Sequence, residues 1–382
     1  MNKLIKIVKR LLLLFLLVVI LLVIALRLGY GGGREYPDVS TNSLYKRADL
    51  ELYFSYEEPI GNVAATYDTA QATRVFFTIH PESRPNPNHL MEIVDGQAVP
   101  YPDAASQTQL FVSPLGVFVD RQNRLWVIDH GNHGMSGAQL TAFDLASNQV
   151  VHRYTYPGSV AEKLSFFNDL SLSPDGRYVF VADVSFFGKS PSLVVYDVQT
   201  GQSRSLLDEH PSVAHENYVP ITPAKKMRFF GGVVDLLTGI DGLDVSRDGQ
   251  YIYYAPMGHS ALFRLPMAVA SDFTQSDVAI AMAVERVATK PLSDGIRTDE
   301  EGRVYITDIE HQGIFVVEPD GATYTLIKDN RIRWADGMAL AGDGYFYLAD
   351  SDIPNQMLQS KSHIQAHAPY NIFRFKSLAG QH

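Results

Sequence analysis

Cysteine is absent from the 382-residue chain, which removes several kinds of chemistry at once. There is no disulfide, no thiolate nucleophile, no Cys-ligated zinc and no lipid-modified cysteine. The compartment must therefore be read from the N-terminus. Basic charge is also in deficit: 32 Lys and Arg stand against 42 Asp and Glu, a formal net charge of −10. That balance supplies no basic face for a phosphate backbone, so nucleic acid is excluded as a partner. Beyond the first 30 residues long helical periodicities are scarce, and no Ser-centred nucleophile elbow, phosphate-cradling glycine loop or HExxH pattern occurs. What the chain does have is sheet-forming material, with 20 Tyr, 20 Phe and 46% hydrophobic residues, enough for one large core.

That material is organised as a repeat. Asp294-Gly295 heads a short alternating run that turns at Glu301-Gly302, continues through Arg303 to Thr307, ends on Asp308 and is followed by Ile314 to Val317. Strands joined by a Gly turn and bounded by Asp form a hairpin signature. The same plan starts at Leu115-Gly116, Asn168-Asp169, Asp241-Gly242 and Asp336-Gly337, with a weaker copy at Asn62. In four copies an acid stands seven residues after the heading residue: Asp175, Asp248, Glu301 and Asp343. The spacing of roughly 40 to 50 residues, with one longer gap, is that of four-stranded propeller blades. The fold class is therefore all-β, a six-bladed β-propeller carrying an N-terminal transmembrane signal-anchor helix.

The anchor is read from Lys3, Lys6, Lys9 and Arg10, which precede an uncharged apolar run from Leu11 to Leu26. An excess of cations before an apolar segment keeps that end cytoplasmic. Leu4 to Leu28 reaches a bilayer span of about 20 residues if the lysines snorkel. Residues 1–28 are thus the anchor, 29–49 a glycine-containing linker, 50–376 the propeller and 377–382 a tail. The propeller is placed on the extracytoplasmic side, secreted if the signal is cleaved. Leu50 to Ser55 is expected to complete blade six as its outer strand, because a closed ring leaves no exposed edge. The basic-aromatic insert Lys225 to Phe230 is expected to fold over one face with Phe229 and Phe230 buried; Ser351 to Tyr370 is a second insert.

In a propeller the first strand of each blade lines the axis. The heading residues Asn62, Leu115, Asn168, Asp241, Asp294 and Asp336 should therefore converge at one channel mouth, together with the second-strand ends Asp129, Asp183, Asp308 and Asp350. An oxygen-rich, Cys-free set suits calcium, magnesium or manganese. An Asp before Gly can equally serve only to bond a nearby amide. His80, His130, His133, His259 and His311 follow second-strand ends on the same face. A histidine beside an ion can act as a general base toward bound water; His130 and His311 are the candidates for that role. Asn62, Asp129, Asp308, Asp336, Asp350, His80 and His259 are candidate ligand contacts.

Four segments carry a family resemblance: Ser190 to Val213, Gly239 to Pro266, Leu292 to Phe315, and Arg331 to Leu340 with Pro369 to Phe375. In this order they resemble the yellow and major royal jelly protein family, in its bacterial branch, from about Gly61 to Phe375. More distantly the blades resemble gluconolactonase and senescence-marker propellers, which implies a divalent cation, calcium before magnesium, in the channel. By blade alignment that resemblance assigns the metal to Asn168, Asp241 and Asp294, with Asn62 or Asp336 completing the shell. The expected first-blade Glu is replaced by Ile60-Gly61-Asn62, and Asp241 stands where Asn is expected. Three functions follow as expectations: an anchored, monomeric propeller binding a small molecule, a metal-dependent lactonase-like hydrolase, or a protein-interaction module without catalysis.

Overall fold

The structure, a computed structural model, describes residues 2–67 and 72–379. Six four-stranded antiparallel sheets form the blades of a propeller. Their inner strands are Ile60–Ala65, Pro114–Val119, Phe167–Leu172, Ile240–Val245, Ile296–Thr298 and Ala335–Leu340. Each packs against the next, and the sixth against the first, so the ring is closed. The expected tail lies partly outside the described residues, at 380–382. Its first part is docked, with the Leu378 amide donating to the Tyr305 hydroxyl at 3.0 Å.

The inner strands are buried from end to end in blades one, three, four, five and six, because both faces meet a neighbouring blade. Alternation survives only toward the rim, as in Gln149–Thr155. Apolar layers fill the wedges between blades. Between blades five and six the Tyr305 ring lies 4.2 Å from Phe346, which stacks on Phe375 at 5.3 Å. Rings in such contacts contribute about 0.5–1.5 kcal/mol each beyond the area they bury.

The heading dipeptides have a structural cause. In five blades the pairing of inner and second strands slips in register at the heading residue, for example between Ile240 and Gly242 and between Ala335 and Met338. A bulge of this kind re-aims the side chain at its centre, here toward the axis. The following glycine leaves room for the next blade: a Cβ on Gly242 would stand 2.5 Å from the Asp294 carbonyl oxygen, and one on Gly295 2.5 Å from that of Asp336.

Glu51–Tyr56 pairs antiparallel with Tyr370–Lys376 and is the outer strand of blade six. Tyr53 meets Tyr347 edge-on at 4.8 Å, and Arg374 pairs with Glu51 at 2.7 Å. The segment 29–49, expected as a linker from its glycines, is laid along the propeller instead. Arg34 bridges to Tyr218 in parallel, the Tyr36 hydroxyl donates to the Lys290 carbonyl at 2.9 Å, and Thr41 and Thr325 exchange two hydrogen bonds. Its backbone groups find partners on the insert before blade four and on blade five, which the glycine content did not disclose.

The N-terminal helix Asn2–Tyr30 contains a stretch, Lys3–Tyr30, long and apolar enough to cross a membrane, none of it buried in the protein. Its last turn docks on the propeller. Arg27 pairs with Asp235 at 3.2 Å, the Tyr30 hydroxyl donates to the Phe187 carbonyl at 2.8 Å, and Lys189 donates to the Gly29 carbonyl.

Candidate functional site

Leu115, Asn168, Asp241 and Asp336, at strand bulges, and Asp294, just before its inner strand, meet at the floor of one cavity of about 600 Å³, within the usual range for small-molecule sites. Asn62, the sixth heading residue, lies below this floor. Its Nδ2 donates to Asp169 Oδ1 at 2.6 Å, so it braces the axis from beneath. The carboxyls of Asp241, Asp294 and Asp336 are no more than 7% exposed. Asn168 Nδ2 donates to Asp241, and the indole Nε1 of Trp334 donates to Asp294 Oδ2 at 2.6 Å.

Buried acids around one axis repel, and the titration of Asp241 and Asp336 records it. Burial, then the charges of Asp294, Asp169 and Asp336, pushes Asp241 well above the ordinary carboxylate range. Burial and then Asp294 do the same to Asp336. Asp294 is pushed up to about 7, mainly by burial, with the Trp334 donor opposing the rise. Below them, burial takes Asp169 to about 6. Such a floor holds protons at neutral pH because burial, the leading cause at each of the three acids, penalises the charged form.

The walls are apolar and come mostly from the inserts and the loops after second strands: Phe166, Phe186, Phe229, Leu236, Trp334 and Met357. One side of the rim is polar. Glu82 and Arg84 lie there with Asn132, His80 and His133. His133 Nε2 stands 3.3 Å from Glu82 Oε1, and this bond leads the causes that hold Glu82 down at about 2. Burial holds His80 down at about 4, neutral at physiological pH; its Nδ1 accepts from the Glu82 amide at 3.2 Å.

The remaining sequence candidates stand elsewhere. Asp129 accepts from the amides of Val112, Ser113 and Gly131 at 2.6, 2.9 and 2.8 Å. Asp350 accepts from the Arg333 and Trp334 amides, both at 2.8 Å, and from the Arg333 guanidinium. Asp308 accepts from the Glu310 and His311 amides and contacts His311 Nδ1 at 3.0 Å. These second-strand ends therefore latch the entry of a loop rather than line the cavity, the amide-bonding role left open from the sequence. His311 is held between Asp308 and Asp38. His130 is buried against Phe166 at 4.3 Å, accepts from the His133 amide through Nδ1, and has no partner at Nε2 among the described residues. The two expected bases thus sit in different blades, and neither lines the cavity. His259 accepts from the Ala261 amide and lies 3.5 Å from Glu216, away from the cavity.

The floor offers oxygen donors of the type calcium takes. As arranged, however, no group of three His, Asp or Glu side chains among the described residues could hold a metal ion. Asn168 turns its NH2 toward Asp241, and Trp334 occupies one oxygen of Asp294. The residues missed from the sequence are the aromatic walls and Glu82, the partner of His133. Phe229 is half-buried as a wall, but Phe230, expected to be buried, is 71% exposed. The only sequence signal for the walls was the aromatic content of the inserts.

A family model, Major royal jelly protein, matches residues 112–364. Among curated proteins none matches this sequence. Similar solved structures include a gluconolactonase from Xanthomonas campestris, at 14% identity and TM-score 0.53, covering 91% of this chain and 98% of that one. A luciferin-regenerating enzyme is similar at 13% identity and TM-score 0.53, with 86% and 95% coverage. The calcium-binding protein regucalcin from Agrobacterium tumefaciens is similar at 13% identity and TM-score 0.52, with 85% and 93% coverage. At these identities the likeness is one of fold.

Proposed function

Because the chain belongs to the major royal jelly protein family, and a fold does not fix what its channel holds, we propose a function from this chain's own cavity. It is a membrane-anchored, extracytoplasmic propeller that binds a small molecule carrying a positive charge on an apolar, ring-sized body. The observation that supports this reading is the pairing of Asp241, Asp294 and Asp336 at the floor with aromatic walls above them. A buried carboxylate needs a counter-charge, and a protonated amine supplies one while its donors bond two of the acids. Trp334 and the phenylalanine rings favour a cation or an aryl group against their faces. The four cations in the first turns of the helix, ahead of its uncharged run, favour the propeller lying on the opposite side of the membrane.

The test is a thermal-shift series on the full chain in detergent with aryl-alkyl amines, matched neutral alcohols, calcium, chelator and lactones. Amines should raise the melting temperature by mass action and alcohols should not. Because binding displaces protons from the floor, amine affinity should rise from pH 5 to pH 8, by up to about tenfold per unit for each proton released. A neutral alcohol that binds as tightly as its amine counterpart would defeat the proposal.

The oxygen-only floor favours a second reading, in which calcium sits on Asn168, Asp241 and Asp294 after the Asn168 carboxamide turns over. There it would orient a substrate oxygen or lower the pKa of a water. A shift produced by calcium and reversed by chelator, with lactone turnover and no amine response, would select that reading.

A further inference from the structure

The cavity mouth and the end of the apolar helix lie at the same place. Tyr30, the last helical residue, bonds Phe187, and Phe187 lines the cavity. Asp235, which holds Arg27 and accepts from the Gly33 amide at 2.7 Å, belongs to the short hairpin Arg228–Phe229 and Val234–Asp235. Phe230 stands at the tip of that hairpin. Both contacts therefore fall within a side chain's length of where a membrane span would leave the bilayer.

The surface around this mouth differs from an ordinary soluble surface. Phe230 is 71% exposed, Leu358 61% and Phe187 48%, and all three border the cavity. Leu164 and Met135 extend the patch, at 39% and 59%. Leu164 donates its amide to the His133 carbonyl, and its Cβ lies 3.6 Å from the position a Cβ on Gly188 would take, so it adjoins Phe187. No other phenylalanine of the described propeller is comparably exposed. Cations interleave with the patch: Lys163 and Lys189 are exposed, and Lys225 lies 5.6 Å from the Phe229 ring. Aromatic tips with interspersed lysines suit the boundary between acyl chains and anionic headgroups.

We propose that this face is seated on the bilayer around its own anchor helix, with Phe187, Phe230 and Leu358 inserted at the headgroup boundary. The cavity then fills from the leaflet rather than from bulk water. This rests on the small-molecule reading above and narrows it: the ligand is an amphiphile that partitions into lipid and brings its charged end down to the carboxylate floor. The docked last turn of the helix fixes the propeller in this pose, where a free tether would let it tumble.

The test uses the full chain in phosphatidylcholine–phosphatidylglycerol vesicles, with and without bromine on the acyl chains. Tryptophan is placed by Phe230→Trp or Phe187→Trp, and by Met282→Trp as a control on the edge of blade four, where Met282 is 83% exposed. Parental emission from the buried Trp126 and Trp334 is subtracted. Brominated lipid should quench the added emission of Phe230→Trp and Phe187→Trp about twofold, since interfacial side chains sit about 5–10 Å into this boundary, and leave Met282→Trp unchanged. Unquenched rim variants in a chain that resists carbonate extraction overturn the seated face while leaving the span and the cavity reading intact. Equal quenching at Met282→Trp also overturns it. A chain that carbonate strips away overturns the span and the seated face together. The amine thermal shift, measured in detergent, reports the floor independently of all three.

Discussion

The floor acids should make the empty protein less stable than it could be, and Asp294→Asn isolates this. The substitution keeps an oxygen to accept from Trp334 Nε1 and removes one of three converging charges. Asp294 titrates at about 7 in the fold against an ordinary 3.8. The folded state therefore binds this proton more tightly than the unfolded chain, so its contribution is neutral below pH 4. Stability is then lost as pH rises from about 4 to about 7, and the loss is complete above that. At about 1.4 kcal/mol per unit, the three-unit gap amounts to about 4 kcal/mol at pH 8. With an unfolding entropy of ~2.1 cal/mol/K per residue over roughly 330 residues, this corresponds to about 6 °C. The variant should thus melt up to about 6 °C above its parent at pH 8 and level with it at pH 4. It should also lose most of its amine response. The assay is differential scanning calorimetry of both chains at the two pH values. A variant whose offset from the parent is the same at pH 4 and pH 8 would show that the floor is not electrostatically strained.

Two further outcomes follow from the architecture. Deleting residues 51–56 removes the outer strand of blade six with its Tyr53 and Phe54 rings, and should lower the melting temperature of the whole propeller in a single transition; an unchanged calorimetric trace would contradict ring closure through this strand. Asp129→Ala strands the Val112, Ser113 and Gly131 amides and should destabilise by about 1–3 kcal/mol while leaving amine affinity unaltered; weakened binding without destabilisation would move Asp129 from latch to ligand.

The ring was legible because its signals are local and repeated. The turn acid recurs at a fixed distance from four heading residues, and a glycine follows four of them, at Gly242 and Gly295 where the next blade's carbonyl leaves no room for a Cβ. The floor was legible for the same reason: a heading residue at a bulge has only the axis to point toward. The walls were not, since Phe229 and Met357 arrive on inserts, and Phe186 and Phe187 on a loop after a second strand, that share no period. The carboxylates at second-strand ends were legible as residues but not as roles. Whether Asp129 or Asp308 faces a cavity or an amide depends on how the following loop turns, and no spacing records that. The strap at 29–49 misled for a related reason: its glycines signal freedom, whereas its hydrogen bonds are made to residues more than 180 positions away.

The closing strand also sets a timetable. Glu51 and Arg374, partners in the finished ring, are 323 positions apart. At about 5–20 residues per second, the first strand emerges roughly 15–65 s before the strand it must join. During that interval it waits with both edges open, behind the N-terminal helix. Its flanking acids, Glu51, Glu57 and Glu58, repel similar waiting strands on neighbouring chains. Closure thus waits for Tyr370–Lys376, and a chain lacking that strand could never complete blade six.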